Sequence, residues 1–306
     1  MKLKWLILSI AFAMLFMIGC EDNDDFEPIG YTGNMSESAQ LLSFSDNEFV
    51  TSYDIALVYE NSSYWVKLNT ATNVLAVPAD TTYDVAELPL FGYASDNDTN
   101  FVIGNSWIDD DTYNFNDNHS VQSNGQTFYV RTTDYQWIKL EILYGSQLSM
   151  KFRWSIDGQD DIIDTVAVNY TADSPVYYNF SSASEVTPNN WDLGFIMLPI
   201  YTGPEMGYMN MPSLIMNKFN DIQVTVITNQ DFDDISAVPT SPVWNDDYQI
   251  LGYEGTYEVL NYHHEITKVL IDNADYTYIF RTGSKDYKIR FYDYAGYTVV
   301  FDFDEL

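Results

Sequence analysis

From about residue 39 to the end, large apolar and polar residues alternate in short runs separated by turn residues, and no run carries an apolar stripe at helical spacing. A period of two sends successive side chains to opposite faces of a strand, so the pattern commits the chain to sheets with one buried face. Tyr297, Val299, Phe301 and Phe303 alternate with Thr298, Val300, Asp302 and Asp304. Tyr276, Tyr278 and Phe280 alternate with Thr277, Ile279 and Arg281, after which Gly283-Ser284 turns the chain into Tyr287, Ile289 and Phe291. That stretch predicts a hairpin. The fold class predicted is all-β, and 306 residues suffice for one large core or two moderate ones.

Composition narrows the partners. Asp plus Glu is 45 against 13 Lys plus Arg, a net charge of −32 that repels phosphate backbones and anionic bilayers and argues against nucleic-acid binding. The chain is nevertheless 46% hydrophobic, with Tyr 25, Phe 18 and Trp 7, which excludes an acidic disordered polymer. Its one cysteine, Cys20, excludes intramolecular disulfides and thiolate metal clusters.

Lys2 and Lys4, an apolar run from Trp5 to Ile18, and Gly19-Cys20 followed by Glu21, Asp22, Asn23, Asp24 and Asp25 predict a secretory signal over residues 1–19. Met17-Ile18-Gly19-Cys20 resembles a bacterial lipobox, which implies lipidation at Cys20. The acidic cluster after it resembles the surface-export signal of Bacteroidota lipoproteins, implying an outer-membrane, lipid-anchored and cell-surface location. Acyl chains would then supply the membrane attachment that the charge does not. Residues 20–38, acidic with Gly30, Gly33, Ser36 and Ser38, are expected to form a tether.

Set side by side, two stretches share landmarks in one order. Phe44-Ser45, Glu48 and Tyr53-Asp54-Ile55-Ala56-Leu57 parallel Phe180-Ser181, Glu185 and Trp191-Asp192-Leu193-Gly194-Phe195. Tyr129-Val130-Arg131-Thr132 with Lys139-Leu140 parallels Ile279-Phe280-Arg281-Thr282 with Lys288-Ile289. The expectation is two consecutive antiparallel β units, 39–157 and 165–306, related by internal duplication. Asp54 should then match Asp192, and Arg131 should match Arg281. Trp191, Leu193 and Phe195 are expected on one strand face in one core, with Asp192 bonding neighbouring backbone donors. Arg281 and Lys288 are expected to pair with carboxylates.

Tyr177-Tyr178-Asn179-Phe180-Ser181, Glu185-Val186-Thr187 and Trp191-Asp192-Leu193-Gly194-Phe195 look like the opening of the HmuY-type haem-binding surface lipoproteins. Tyr278-Ile279-Phe280-Arg281-Thr282-Gly283 with Tyr287-Lys288-Ile289 resembles that family's closing hairpin. The resemblance covers residues 165–306 well and 40–155 more faintly, with Tyr53 where the second copy has Trp191. It implies a non-enzymatic protein that binds haem or a related tetrapyrrole and passes it to an outer-membrane transporter. Axial ligands in that family lie between the Trp-Asp strand and the closing hairpin. His264 is placed there, with His263 as its substitute if the strand register shifts by one, and Met206 or Met209 as candidate partners. Met197, Met206, Met209, Met211 and Met216 are read otherwise as packing residues. The span from Pro239 to Arg281 is short for two ligand-bearing hairpins.

Other chemistry finds little purchase. The three histidines, His119, His263 and His264, build no Ser-His-Asp order and no HExxH spacing, so the chain reads as no enzyme. Asp96, Asp98 and Asn100 have calcium-loop spacing, but Phe101 and Trp107 occupy the positions that need glycine and glutamate, and a solvated loop is expected there. No metal site is expected beyond a haem iron. The alternative function is a glycan-binding or structural surface lipoprotein of the same fold without a cofactor, whose aromatic rings stack on sugars.

Overall fold

The computed structural model describes residues 31–60, 62–97, 99–156, 159, 161–167, 175–201, 208–263 and 268–306. The described chain is almost all β, in antiparallel sheets, with three short 3-10 helices at Thr70–Thr72, Tyr83–Val85 and Phe232–Asp234 and no α-helix among the described residues. No helix of the described residues is long and apolar enough to cross a membrane. The first half of the chain supplies β1 (Tyr31–Asn34), β2 (Gln40–Ser43), β3 (Glu48–Val50), β4 (Ile55–Glu60), β5 (Ser63–Leu68), β6 (Leu75–Pro78), β7 (Ile108–Asn114), β8 (Ser120–Ser123), β9 (Thr127–Arg131), β10 (Trp137–Gly145) and β11 (Ser149–Ile156). The second supplies β12 (Ile162–Ala167), β13 (Val176–Asn179), β14 (Ser184–Val186), β15 (Leu193–Tyr201), β16 (Tyr208–Met216), β17 (Ile222–Ile227), β18 (Leu260–His263), β19 (Lys268–Ile271), β20 (Thr277–Thr282), β21 (Lys285–Ala295) and β22 (Thr298–Glu305).

The sheets come in matching pairs. One four-stranded sheet is ordered β14-β13-β4-β5 and the other β3-β2-β15-β16. Of the two larger sheets, one runs β1-β22-β21-β20-β17, and the other contains β12-β11-β10 with β9 on β10 and β6 on β9, extended by β8 and β7. Registers agree residue for residue. Tyr178 pairs with Ile55 where Leu42 pairs with Leu193, and Tyr129 pairs with Lys139 where Ile279 pairs with Lys288. β10 and β21 carry a register irregularity at the same place, between Ile142 and Tyr144 and between Phe291 and Asp293. The hairpin read from alternation is present as β20 and β21, joined by Gly283-Ser284 with Gly283 at φ 59°, a conformation glycine adopts without strain.

The opening strands cross over. β13 and β14, from the second half, lie beside β4, whereas β2 and β3, from the first, lie beside β15. β12 pairs with β11, and β1 with β22. Phe180 and Tyr178 therefore fill the core built by Ile55, Leu57, Phe128, Phe152 and Trp154. Phe44 and Leu42 fill the core built by Leu193, Phe195, Phe280, Tyr287 and Phe301. Residues 31–306 form one compact unit, and the packing halves inside it do not coincide with the segments 39–157 and 165–306.

Asp54 and Asp192 secure the crossing. Asp54, fully buried, accepts from the Phe180 amide at 2.8 Å and from the Thr133 amide and hydroxyl at 2.8 Å each. Asp192 accepts from the Phe44 amide at 2.8 Å and the Thr282 hydroxyl at 3.2 Å. Beyond them, Asn69 and Asn217 each donate a side-chain bond to the residue before the aspartate, Tyr53 O at 2.8 Å and Trp191 O at 3.0 Å. Burial pushes the Asp54 carboxyl up to about 6 and raises that of Asp192, against the hydrogen bonds that favour the charged form.

Three expectations are corrected. Tyr31–Asn34, placed in the tether, form β1: Tyr31 stacks on Phe301 at 5.7 Å, and a Cβ on Gly33 would come within 2.9 Å of the Phe195 ring. Glu48 matches Ser184 and not Glu185, because Ser43 faces Glu48 where Asn179 faces Ser184. Trp191 does not share a core with Leu193 and Phe195. The strand begins at Leu193, and the indole folds back over Gly194 onto Leu41, Ile196 and Ile215.

Candidate functional site

The outer faces of the two four-stranded sheets are equivalent by register and opposite in character. On the second, Trp191, Leu41, Ile196 and Ile215 pack with Ala71 of the first 3-10 helix into a buried apolar cluster. Gly194 makes room for this closure, since a Cβ there would lie 3.2–3.3 Å from Ile215, Leu41 and Trp191. The centre of that face is closed, and a cleft of about 590 Å³ opens at its edge, beside Ala39, Leu41 and Val50.

On the first, Ala56 and Val58 of β4 point outward between Tyr177 of β13 and Lys67 and Trp65 of β5, while Ile55 and Leu57 point into the core. Tyr53, at the position matching Trp191, packs its ring on Tyr177 at 4.5 Å. Phe101 stands edge-on to Trp65 at 5.4 Å. Lys218 and Phe219 follow Asn217 as Thr70 and Ala71 follow Asn69, so Phe219 takes the place of Ala71 and is left 65% exposed. Tyr53, Ala56, Val58, Lys67, Phe101, Tyr177, Lys218 and Phe219 bound a cleft of about 580 Å³ with aromatic walls, and Trp65 backs Phe101 from outside the lining. Burial, and next the neighbouring Tyr177, raise the Tyr53 phenol above its ordinary range, so it stays a neutral hydrogen-bonding group.

The cleft's carboxylates are already engaged. Asp96 is buried, its two oxygens accepting from the Leu68 and Val102 amides at 2.7 Å each. It thereby braces a loop expected from sequence to be merely solvated. Burial raises its carboxyl, and the two amides and Lys67 and Lys218 oppose the rise. Glu60 pairs with Lys67 at 2.7 Å, and that ammonium lies 5.3 Å from the Phe101 ring centre. Among the described residues no group of His, Cys, Asp and Glu is arranged to hold a metal ion.

Comparison with protein-family models, with curated proteins and with solved structures finds no match to this chain.

The residues marked by sequence fall into two groups. Trp191, Asp192, Tyr53 and Asp54 stand at the crossing described above. Arg131, 3% exposed, donates to Met197 O and Asn210 Oδ1 at 3.2 Å each and lies over the Tyr135 ring; burial lowers its guanidinium to about 10. Arg281 makes the expected carboxylate pair, bidentate to Asp286 at 2.7 and 3.0 Å. Lys288 donates to Phe232 O and Ile235 O, with Asp304 at 3.8 Å. Lys139 and Lys288 lie over Tyr83 and Phe232, the first residues of matching 3-10 helices.

The haem-ligand candidates are less informative. Cys20, His264 and Met206 lie outside the described residues. His263 ends β18 with Nε2 2.8 Å from Asp272 Oδ1, and Met209 is 39% exposed on β16, while Met197, Met211 and Met216 are buried. Sequence reasoning missed Tyr177, Phe101 and Phe219 as a group. Phe219, an aromatic inside the polar run Asn217-Lys218-Phe219-Asn220-Asp221, is the one local signal that could have been read.

Proposed function

We propose that this protein is a non-enzymatic carbohydrate-binding module of the cell surface, anchored through lipidated Cys20 and taking its ligand in the cleft over Tyr53 and Tyr177. One observation carries the reading: of two equivalent sheet faces, one is closed at its centre by apolar packing and the other is kept open there with aromatic rings beside polar groups. Sugar rings present flat C–H faces that pack on aromatic rings and a rim of hydroxyls that need hydrogen bonds, and the open face supplies both. Binding without turnover fits the carboxylates. Glycoside hydrolysis uses two carboxyl groups directed at the scissile bond, whereas Asp96 is held by backbone amides and Glu60 by Lys67. The matched registers and the two Asp contacts also support an origin of the halves by internal duplication, with one face since turned to binding.

Calorimetric titration of the protein with neutral oligosaccharides, alongside a haemin titration read at the Soret band, tests the assignment. The expected result is saturable sugar binding weakened about tenfold by Tyr53→Ala, the scale of one lost aromatic contact. A saturable haemin complex with no sugar binding would overturn it in favour of tetrapyrrole carriage. Anchoring is tested separately by loss of fatty-acid labelling in Cys20→Ala, and retained labelling would refute it.

A further inference from the structure

Beside the cleft, a side pocket of about 80 Å³ lies under the 3-10 helix Thr70–Thr72 and shares Thr70, Asp96 and Lys218 with the cleft lining. Its volume is that of two to three liquid waters at ~30 Å³ each. Two kinds of wall meet in it. Ala71, Leu198 and Ile215 are apolar, and Asn73, Ser95 and Gln249 are uncharged hydrogen-bonding residues. Ser95 Oγ is buried and makes no hydrogen bond among the described residues. A buried hydroxyl without a partner forfeits a hydrogen bond that it would have in water, and a ligand that supplies the partner recovers it.

Resting on the carbohydrate reading of the cleft, we infer that the ligand is an N-acetylated sugar whose acetamido group enters this pocket. The group suits the walls on three counts: its methyl fits the apolar wall, its amide N–H and C=O match groups that can accept and donate, and it carries no charge. A plain hydroxyl in the same place would leave the apolar wall wet and reach fewer of the polar groups. A carboxylate or sulfate would have to sit near Asp96 in a chain of net charge −32.

The matched pair N,N′,N″-triacetylchitotriose and cellotriose, differing at the acetamido position, reads the pocket by calorimetry on the whole protein. The triacetyl sugar is expected to bind about tenfold more tightly, the effect of one buried methyl and one recovered hydrogen bond. Ser95→Ala should narrow that ratio several-fold, and Ala71→Val, which fills the pocket from its apolar side, should narrow it without removing Ser95. Equal affinity for the two sugars, both weakened by Tyr53→Ala, would overturn the acetamido assignment and leave the cleft reading standing. An undiminished ratio in both pocket variants would also overturn it. Binding of neither sugar would sink the cleft reading and this inference together.

Discussion

Asp54 holds three donors on two oxygens with no water-exposed surface, and each donor belongs to a segment distant in sequence. An amide in its place would turn one of those oxygens into an N–H donor facing another donor. Asp54→Asn should therefore cost about 2–3 kcal/mol in urea unfolding, the penalty for a buried donor left unpaired. The pH dependence follows from a carboxyl held at about 6 in the fold against 3.8 for an ordinary aspartate. The folded state binds this proton more tightly than the unfolded chain does. The stabilising contribution is therefore full below about pH 4 and fades as the pH rises through about 6. Asp54→Asn should remove that segment of the stability profile, and an unchanged profile would assign it to other groups. These aspartates are visible as landmarks in the sequence because a carboxylate embedded in apolar strands must find donors. That one donor to each, the Phe180 amide for Asp54 and the Phe44 amide for Asp192, comes from the opposite half is not visible there.

At the scale of elements, the alternation of 276–305 reads directly as strands because large apolar residues recur at every second position on the face that enters the core. The opposite face of β20 and β21, expected to be wet, is covered as well: Thr277, Ile279, Lys288 and Arg290 are buried. Strand partners are harder to read. The pattern of β2 or β13 is satisfied by any sheet edge with an apolar face, and nothing local distinguishes a neighbour in sequence from one across the molecule. The same ambiguity explains the slip that aligns Glu48 with Glu185. Exchange makes Phe44 and Phe180 core residues of the other half, with Phe44 5.2 Å from both Phe280 and Tyr287, and Phe180 5.3 Å from Trp154. Phe44→Ala and Phe180→Ala should each destabilise the protein by about 3–5 kcal/mol. Near-neutral behaviour of either, measured by urea unfolding, would mean that its hairpin is not an integral part of the core it enters.

For the whole molecule, the crossing predicts which pieces can stand alone. Residues 51–187 contain β4 to β14 and so carry a complete packing half, whereas 39–157 carry β2 and β3 without the sheet they join and lack β12 to β14. The first fragment should unfold cooperatively and show near-ultraviolet circular dichroism from fixed aromatics, and the second should not; the reverse result would contradict the crossing. Which face is open at its centre and which is closed is illegible in sequence for a related reason. Tyr53 and Trp191 are both large aromatics before an Asp-led strand, and what separates them is the cover brought by a distant turn, Phe219 in one case and Ala71 in the other. The fold class and its paired landmarks can be read, while the site depends on contacts between the two halves of the chain. Its position is tested most directly by hydrogen exchange of the whole protein with and without triacetylchitotriose. Ligand-dependent protection is expected in β4, β5, β13 and residues 70–73, 95–97 and 217–220, with no change in β20, β21 and β22. Protection confined to other strands, or absent at saturating sugar, would contradict it.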